Sequence, residues 1–287
     1  MLSVFGDESH DSTKARVFAV AGLLGDESQW ECFRQKWEAR LGGLVFHAAD
    51  CESGYGDFRN MPESERRSLH NTLTRMLSES GLIGYGTAID LAGCRAVASE
   101  AVAQFPDMPY YDCFIKTVLK LSDFATHFIP QDEVTFTFDR HRETQYNATI
   151  LYDWITASKP RIVDSITFGN RNEPGIQAAD LWARELMKRC DSHLFNDRGH
   201  PRPQWNCLAA TKRFQFHFTL GRELMQILNE EPTLAGFNHS DYEQWRTRNH
   251  LVDNLSNRFR YVSQIDLADK RIDQKERGPA ACEDQKR

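Results

Sequence analysis

The chain has 287 residues and carries 41 acidic against 35 basic side chains, a net charge of −6, so its surface as a whole is not a basic field for nucleic acid, and a phosphate-rich partner has to meet a local patch or a metal ion. That length buries about three quarters of the unfolded surface, enough for one large domain or a domain with an appendage. The N-terminus MLSVFGDESH lacks a basic start followed by an apolar run, no window nears the roughly eighteen apolar residues of a membrane span, and seven scattered cysteines form no CxxC pair; a cytoplasmic protein without membrane contact, structural zinc or a disulfide framework is expected.

Ser3 to Ser9 (SVFGDES) has strand character at Val4 and Phe5 and runs into two adjacent carboxylates. Carboxylates at the end of a buried strand are unfavourable unless a cation sits beside them. Strand side chains alternate, so Asp7 and Glu8 point to opposite faces unless the strand ends or bulges at Gly6. Asp7 therefore takes the inner, metal-ligating role and Glu8 a weaker one. GDES followed by HDST also has the composition of a turn, and the residues alone leave both readings open.

Arg16 to Leu24 (RVFAVAGLL) is an apolar run of strand length, and with the first strand it predicts a β-hairpin. Asp26 to Leu41 places Trp30, Phe33, Trp37 and Leu41 at helical spacing before GlyGly at 42 and 43, an amphipathic helix with a stop. Leu44 to Asp50 (LVFHAAD) reads as a short strand that delivers His47 and then Asp50, either as metal ligand and substrate-orienting imidazole or as structural residues. A glycine-rich loop follows, then a helix from Pro62 to about Ser80 and a strand from Leu82 to Asp90.

A helix begins at 91, breaks at ProAspMetPro, and is followed by a second over Tyr110 to Phe128 with Phe114, Val118, Leu121 and Ala125 on one side. Val134 to Asp139 (VTFTFD) alternates with period two and ends in an acid followed by Arg140, His141 and Arg142; a strand ending in an Asx turn fits equally. Helix is predicted for Tyr146 to Ser158 and strand for Ile162 to Phe168. In Pro174 to Cys190 (PGIQAADLWARELMKRC), Ile176, Ala179, Ala183, Leu186, Met187 and Cys190 form an apolar stripe with Asp180 on its margin beside Gln177 and Arg184. Small Ala178 and Ala179 suit a close helix–sheet approach that turns Asp180 into a cleft; an i,i+4 pair of Asp180 with Arg184 is the alternative.

A strand ending GDES, a strand ending FHxxD, a strand ending FTFD and a helix opening IQAADLWA, in this order over residues 2 to 190, resemble the prokaryotic domain-of-unknown-function family 3800, regarded as RNase H-like. His10 stands where that family usually has glycine. The resemblance implies an α/β fold with a mixed sheet, an N-terminal hairpin plus parallel strands, flanked by helices. It also implies a nuclease activity, and many relatives lie on phage or other mobile elements. In such a fold the first strand is central and a later strand runs parallel beside it, so Asp7, Asp139 and Asp180 would converge. Hard oxygen ligands select Mg²⁺ or Mn²⁺, and two such ions about 4 Å apart support in-line hydrolysis of a phosphodiester in RNA or DNA. On this reading Asp7 bridges the ions, Asp139 and Asp180 hold one each, Glu8 or Asp50 completes the shell, and His47 orients water or moves a proton. Gln177, Arg140, His141 and Arg142 are candidate substrate contacts.

The expected organisation is an RNase H-like domain over 1–190, a mainly helical extension over 191–265 and a tail over 266–287 with the composition of a disordered segment. The extension contains RFQFHF, a helix RELMQILNEE, and a helix over 240 to 261 capped by Ser240 and Glu243 that carries Trp245, Arg246, Arg248, Arg258, Arg260 and Tyr261. It offers a surface for nucleic acid, a second subunit or a partner protein. A fold that has lost catalysis and serves as a nucleic-acid-binding or assembly module is the competing reading.

Overall fold

The computed structural model describes residues 1–97, 108–128, 133–139, 163–195 and 200–221. All lie in the first of two units into which the chain divides, Met1–His239 and Ser240–Arg287. Arg140, His141, Arg142, the helix expected over 146–158, the helices expected beyond 221 and the tail fall outside the described residues.

Six strands, β1 (Leu2–His10), β2 (Val17–Asp26), β3 (Ile83–Asp90), β4 (Val134–Asp139), β5 (Val163–Gly169) and β6 (Phe214–Thr219), form one sheet in the order β5-β4-β1-β2-β3-β6. β1 and β2 pair antiparallel from Leu2↔Asp26 to His10↔Phe18, so the hairpin expected from the two apolar runs is present and the strand passes straight through His10. Asp11 organises the turn: its carboxylate accepts the N–H groups of Thr13, Ala15, Arg16 and Val17 at 2.8–3.1 Å. β2 and β3 are antiparallel, whereas β1–β4, β4–β5 and β3–β6 are parallel, so β2 alone runs against the other five. A central first strand with a hairpin on one side and parallel strands on the other is the RNase H-like α/β sheet.

Seven α-helices are described: α1 (Glu27–Leu41), α2 (Ala48–Ser53), α3 (Glu63–Glu79), α4 (Leu91–Val97), α5 (Met108–Phe128), α6 (Pro174–Phe195) and α7 (Pro203–Ala209). α1 forms where expected because Asp26 caps it, accepting the Gln29 N–H while Gln29 reaches back to the Asp26 N–H, and because Gly42 ends it at φ 60°. Its Trp30, Phe33, Trp37 and Leu41 are all buried. No described helix is long and apolar enough to cross a membrane.

The two faces of β1 carry different neighbours. Even-numbered Val4 and Gly6 face α5: a Cβ on Gly6 would stand 2.2 Å from the Phe138 ring, and Phe138 packs on Phe114 of α5 at 4.6 Å. Odd-numbered Phe5 and Asp7 face α1 and α6. Phe5 meets Trp30 edge-on at 4.7 Å, and Gly175 lets the first turn of α6 settle on the same ring, where a Cβ would come within 2.3 Å. The core on this side joins α1, α3 and α6 through Trp37, Phe46, Phe58, Leu73, Trp182 and Leu186.

Two expectations change. LVFHAAD is not a strand: residues 44–47 are irregular, His47 is the extended N-cap residue of α2, and Ala48 to Ser53 are helical. Phe46 is anchored by edge contacts with Trp37 at 5.7 Å and Phe58 at 6.2 Å, so its apolar run fills a gap under α1 and joins no strand. RFQFHF, assigned to the helical extension, supplies β6: Phe214 to Thr219 pair parallel with Gly84 to Ile89, so the sheet includes residues well past 190.

Candidate active site

Register brings the first two acids together. The parallel ladder of β1 and β4 runs from Leu2↔Val134 to Gly6↔Phe138, so the next residues, Asp7 and Asp139, stand beside one another on strands about 4.8 Å apart. They share a face, because Gly6 and Phe138 pack against each other on the opposite one. Asp139 closes β4, and Asp7 stands just past the carboxyl end of the parallel β1–β4 ladder, the kind of place where open α/β sheets present their ligand sites. The third acid, Asp180, comes down from the second turn of α6, the helix that crosses β1 and β2 on this face.

Asp7 is 9% exposed and Asp180 is 5% exposed. Burial, followed by the negative charges of Asp180 and Asp139, pushes the Asp7 carboxyl well above the ordinary carboxylate range; the Glu8 N–H, which donates to Asp7 Oδ1 at 2.7 Å, offsets part of this. Among the described residues no cation pairs with Asp7. Asp180 is also raised by burial, against the opposing effects of His47, the Ala48 N–H, Arg184 and Arg171. The pair Asp180–Arg184 does not form. Arg184 gives its Nε and Nη2 to Glu52 Oε2 at 3.0 and 2.7 Å, and one Asp180 oxygen is left to the backbone of Ala48 at 2.6 Å.

His47 connects this group to Asp50. Its Nε2 is 3.9 Å from Asp180 Oδ1, and its Nδ1 is 3.0 Å from Asp50 Oδ2 although out of line for a hydrogen bond. Asp50 therefore adjoins the three acids through an imidazole. Glu8 does not join them: β1 stays paired with β2 through Glu8↔Val20 with no bulge, so its side chain leaves on the opposite face from Asp7. Gln177 is not available to a substrate, because its amide accepts from Trp37 Nε1 at 2.9 Å and donates to the Arg171 carbonyl at 2.9 Å.

That bond reveals a residue the sequence reading passed over. Arg171 follows β5, whose last pair with β4 is Asp139↔Gly169, and its Nε lies 3.5 Å from Asp139 Oδ2 with the side chain half exposed. A basic residue in the turn after the strand next to FTFD was the available signal. The Ala48 N–H is the other omission, invisible while HAAD reads as strand.

A second group gathers 4.8 Å or closer: one ligand atom each from Glu52, His70 and Glu185, which by distance could hold a metal ion. Two guanidinium groups already border it: Glu52 accepts from Arg184 and Arg202, and Arg202 Nη2 and His70 Nε2 stand 3.3 and 3.2 Å from Glu185 Oε1, out of line for hydrogen bonds. The buried cysteines add no chemistry to either group, their thiols being driven up by burial, Cys51 to about 11 and Cys94 to about 12.

No family model matches the chain, and no curated protein does. Among solved structures, a complex of PCNA with RNase HII from Archaeoglobus fulgidus aligns over 81% of this chain and 90% of that chain, at 12% identity and a TM-score of 0.37. A likeness that slight carries no argument, and the fold assignment rests on strand order and direction.

Proposed function

We propose that this protein is a metal-dependent nuclease that hydrolyses phosphodiester bonds of RNA or DNA, of the kind that the family 3800 resemblance implies. The observation that carries this reading is the environment of Asp7: a carboxylate 9% exposed, with two further aspartates acting on it and a single backbone N–H in compensation. Like charges held this close in a buried place are unfavourable by themselves, and a divalent cation relieves them.

The donor set fits such an ion. All three donors are hard carboxylate oxygens, with neither thiolate nor a second imidazole in the group, which selects Mg²⁺ or Mn²⁺ over zinc. When bound, the ion supplies Lewis-acid polarisation of a phosphoryl oxygen and activation of a water. The chain's own residues do the rest. Asp7, whose carboxyl feels the charges of both Asp180 and Asp139, would hold the ion together with them; Asp180 is oriented by the Ala48 N–H so that its other oxygen faces His47. His47, backed by Asp50, accepts or returns a proton at Nε2. Arg171, held by Gln177 through its carbonyl, keeps a half-exposed guanidinium at the rim where a backbone phosphate would arrive.

The test is cleavage of single-stranded RNA, single-stranded DNA and an RNA–DNA hybrid in Mn²⁺ by the wild type, Asp7→Asn and Asp180→Asn. Metal-dependent cutting by the wild type and its loss in both variants is the expected result. Cutting by the two variants at the wild-type rate removes the assignment. A wild type that neither cuts nor binds Mn²⁺ by calorimetry leaves the binding-module reading in its place.

A further inference from the structure

Away from the acids, α6 and the segment leading into α7 enclose a cavity of about 230 Å³. A water molecule takes about 30 Å³ of liquid, so the space accommodates a polyatomic ligand with some of its hydration. Lys188, Arg189, His200 and Arg202 line it together with the acids Glu185 and Asp191. The acids have cations of their own: Asp191 pairs with Arg16 at 2.9 Å, and Glu185 is approached by Arg202 and His70. Lys188 differs. Its side chain is partly buried, yet among the described residues no carboxylate lies within ion-pair distance of its amine and no hydrogen bond is made to it.

We infer that this cavity is a phosphate-binding subsite with Lys188 as its principal contact. A lysine that is half withdrawn from water and unpaired is stabilised by an incoming anion. Burial is the first cause that lowers the Lys188 pKa, and the nearby charges of Arg184 and Arg202 add to it against the opposing charges of Glu52 and Asp191. A phosphate group suits the site better than a carboxylate. The three N–H donors of the Lys188 ammonium meet more acceptor oxygens on a tetrahedral anion than on a carboxylate, and Arg202, already paired with Glu52, adds its positive charge from the α7 side.

The phosphate can belong to a free mononucleotide or inorganic phosphate, or to the backbone of a nucleic acid. Only the second source rests on the nuclease reading. Lys188 lies two turns of α6 beyond Asp180, about 12 Å along the axis, which is three to four base-pair rises of a duplex.

The experiment is amine labelling of the full chain with mass-spectrometric readout, in EDTA so that nothing is cleaved. It is run alone, with millimolar inorganic phosphate, with a mononucleotide, and with a short oligonucleotide, taking exposed Lys36 as the internal reference. Labelling of Lys188 is expected to fall several-fold with phosphate while that of Lys36 is unchanged, and calorimetry is expected to show phosphate binding weakened about tenfold or more in Lys188→Gln. Protection by the oligonucleotide supports the backbone source; protection by phosphate and mononucleotide alone supports the free one and stands even if the aspartates prove to bind no metal. Unchanged Lys188 labelling in all four arms overturns the inference, as does equal phosphate affinity in a folded Lys188→Gln.

Discussion

The backbone N–H of Ala48 donates to Asp180 Oδ2 at 2.6 Å, tying the first turn of α2 to the second turn of α6. The bond fixes one carboxylate oxygen and directs the other toward His47 Nε2, 3.9 Å from Oδ1. An asparagine at 180 still accepts the Ala48 N–H through its amide oxygen, so the fold has no reason to change. Asp180→Asn is accordingly expected to unfold within a few degrees of the wild type while its metal-dependent cleavage falls at least as far as the 10–100-fold typical of losing an outer-shell partner. Thermal unfolding and single-turnover cleavage on the same preparation check both halves.

Asp7 gives a pH dependence whose sign follows from its surroundings. Its folded pKa is raised above the ordinary 3.8, so the native state holds the proton more tightly than the unfolded chain. Without metal, stability is greatest at or below the unfolded value and declines as pH rises through the raised native one. Asp7→Asn removes that decline, so in EDTA the variant gains on the wild type as pH rises above the ordinary carboxylate value of 3.8. Mn²⁺ reverses the order: at about a hundred times Kd a ligand that binds only the native state adds about 2.7 kcal/mol, and the variant forgoes it. Melting curves across pH with EDTA and with Mn²⁺ measure both effects; parallel curves for the two proteins would refute this.

Glu52 behaves in the opposite sense. Despite the burial that pushes it up, the Arg202 and Arg184 guanidiniums bring its pKa down from 4.5 to about 2, a difference on the order of 3 kcal/mol in favour of the native state. That stability is fully present above 4.5 and is lost as pH falls toward 2. Glu52→Gln is expected to lower the unfolding free energy at pH 7 by a few kcal/mol, since it also leaves two arginines without their shared acceptor. The gap between variant and wild type should narrow at pH 3, as denaturant titrations at the two pH values would show.

The outer frame of this fold is legible in the chain because periodicity reports which face is buried. Trp30, Phe33, Trp37 and Leu41 announce α1, and Phe114, Val118, Leu121 and Ala125 announce α5; all eight are buried. The acids at 7, 139 and 180 are legible only as an ordered set, since each by itself is as good a turn former or surface pair. What the sequence hides depends on which element stacks on which. HAAD looks like a strand end until Phe46 is seen under Trp37, with no sheet edge beside it. Arg171 acquires meaning only from the β4–β5 register, and Lys188 only from the pairing of every acid around it with something else. Phe214, Phe216 and Phe218 do carry the period-two signal of a strand, but its place beside β3 is a matter of topology.

The approach of β1 and β4 sets the spacing of the first two acids, and Gly6 sets that approach. A Cβ at this position would lie 2.2, 2.5 and 2.9 Å from three atoms of the Phe138 ring, closer than packed carbons allow. Phe138 cannot simply swing away, because it packs on Phe114 at 4.6 Å and parallel to Phe136 at 6.4 Å. Gly6→Ala must therefore push β4 outward or displace the ring, and overpacking of this kind typically lowers stability by about 1–3 kcal/mol. The same displacement moves Asp139 away from Asp7, the residue that follows Gly6, so metal affinity falls along with stability. Replacing the ring by a smaller side chain in Gly6→Ala/Phe138→Leu relieves the clash, and the double variant is expected to recover part of both losses. A double-mutant cycle read by denaturant unfolding and by Mn²⁺ calorimetry decides the matter: additive effects at the two positions would show that the contact does not hold the strands at their working distance.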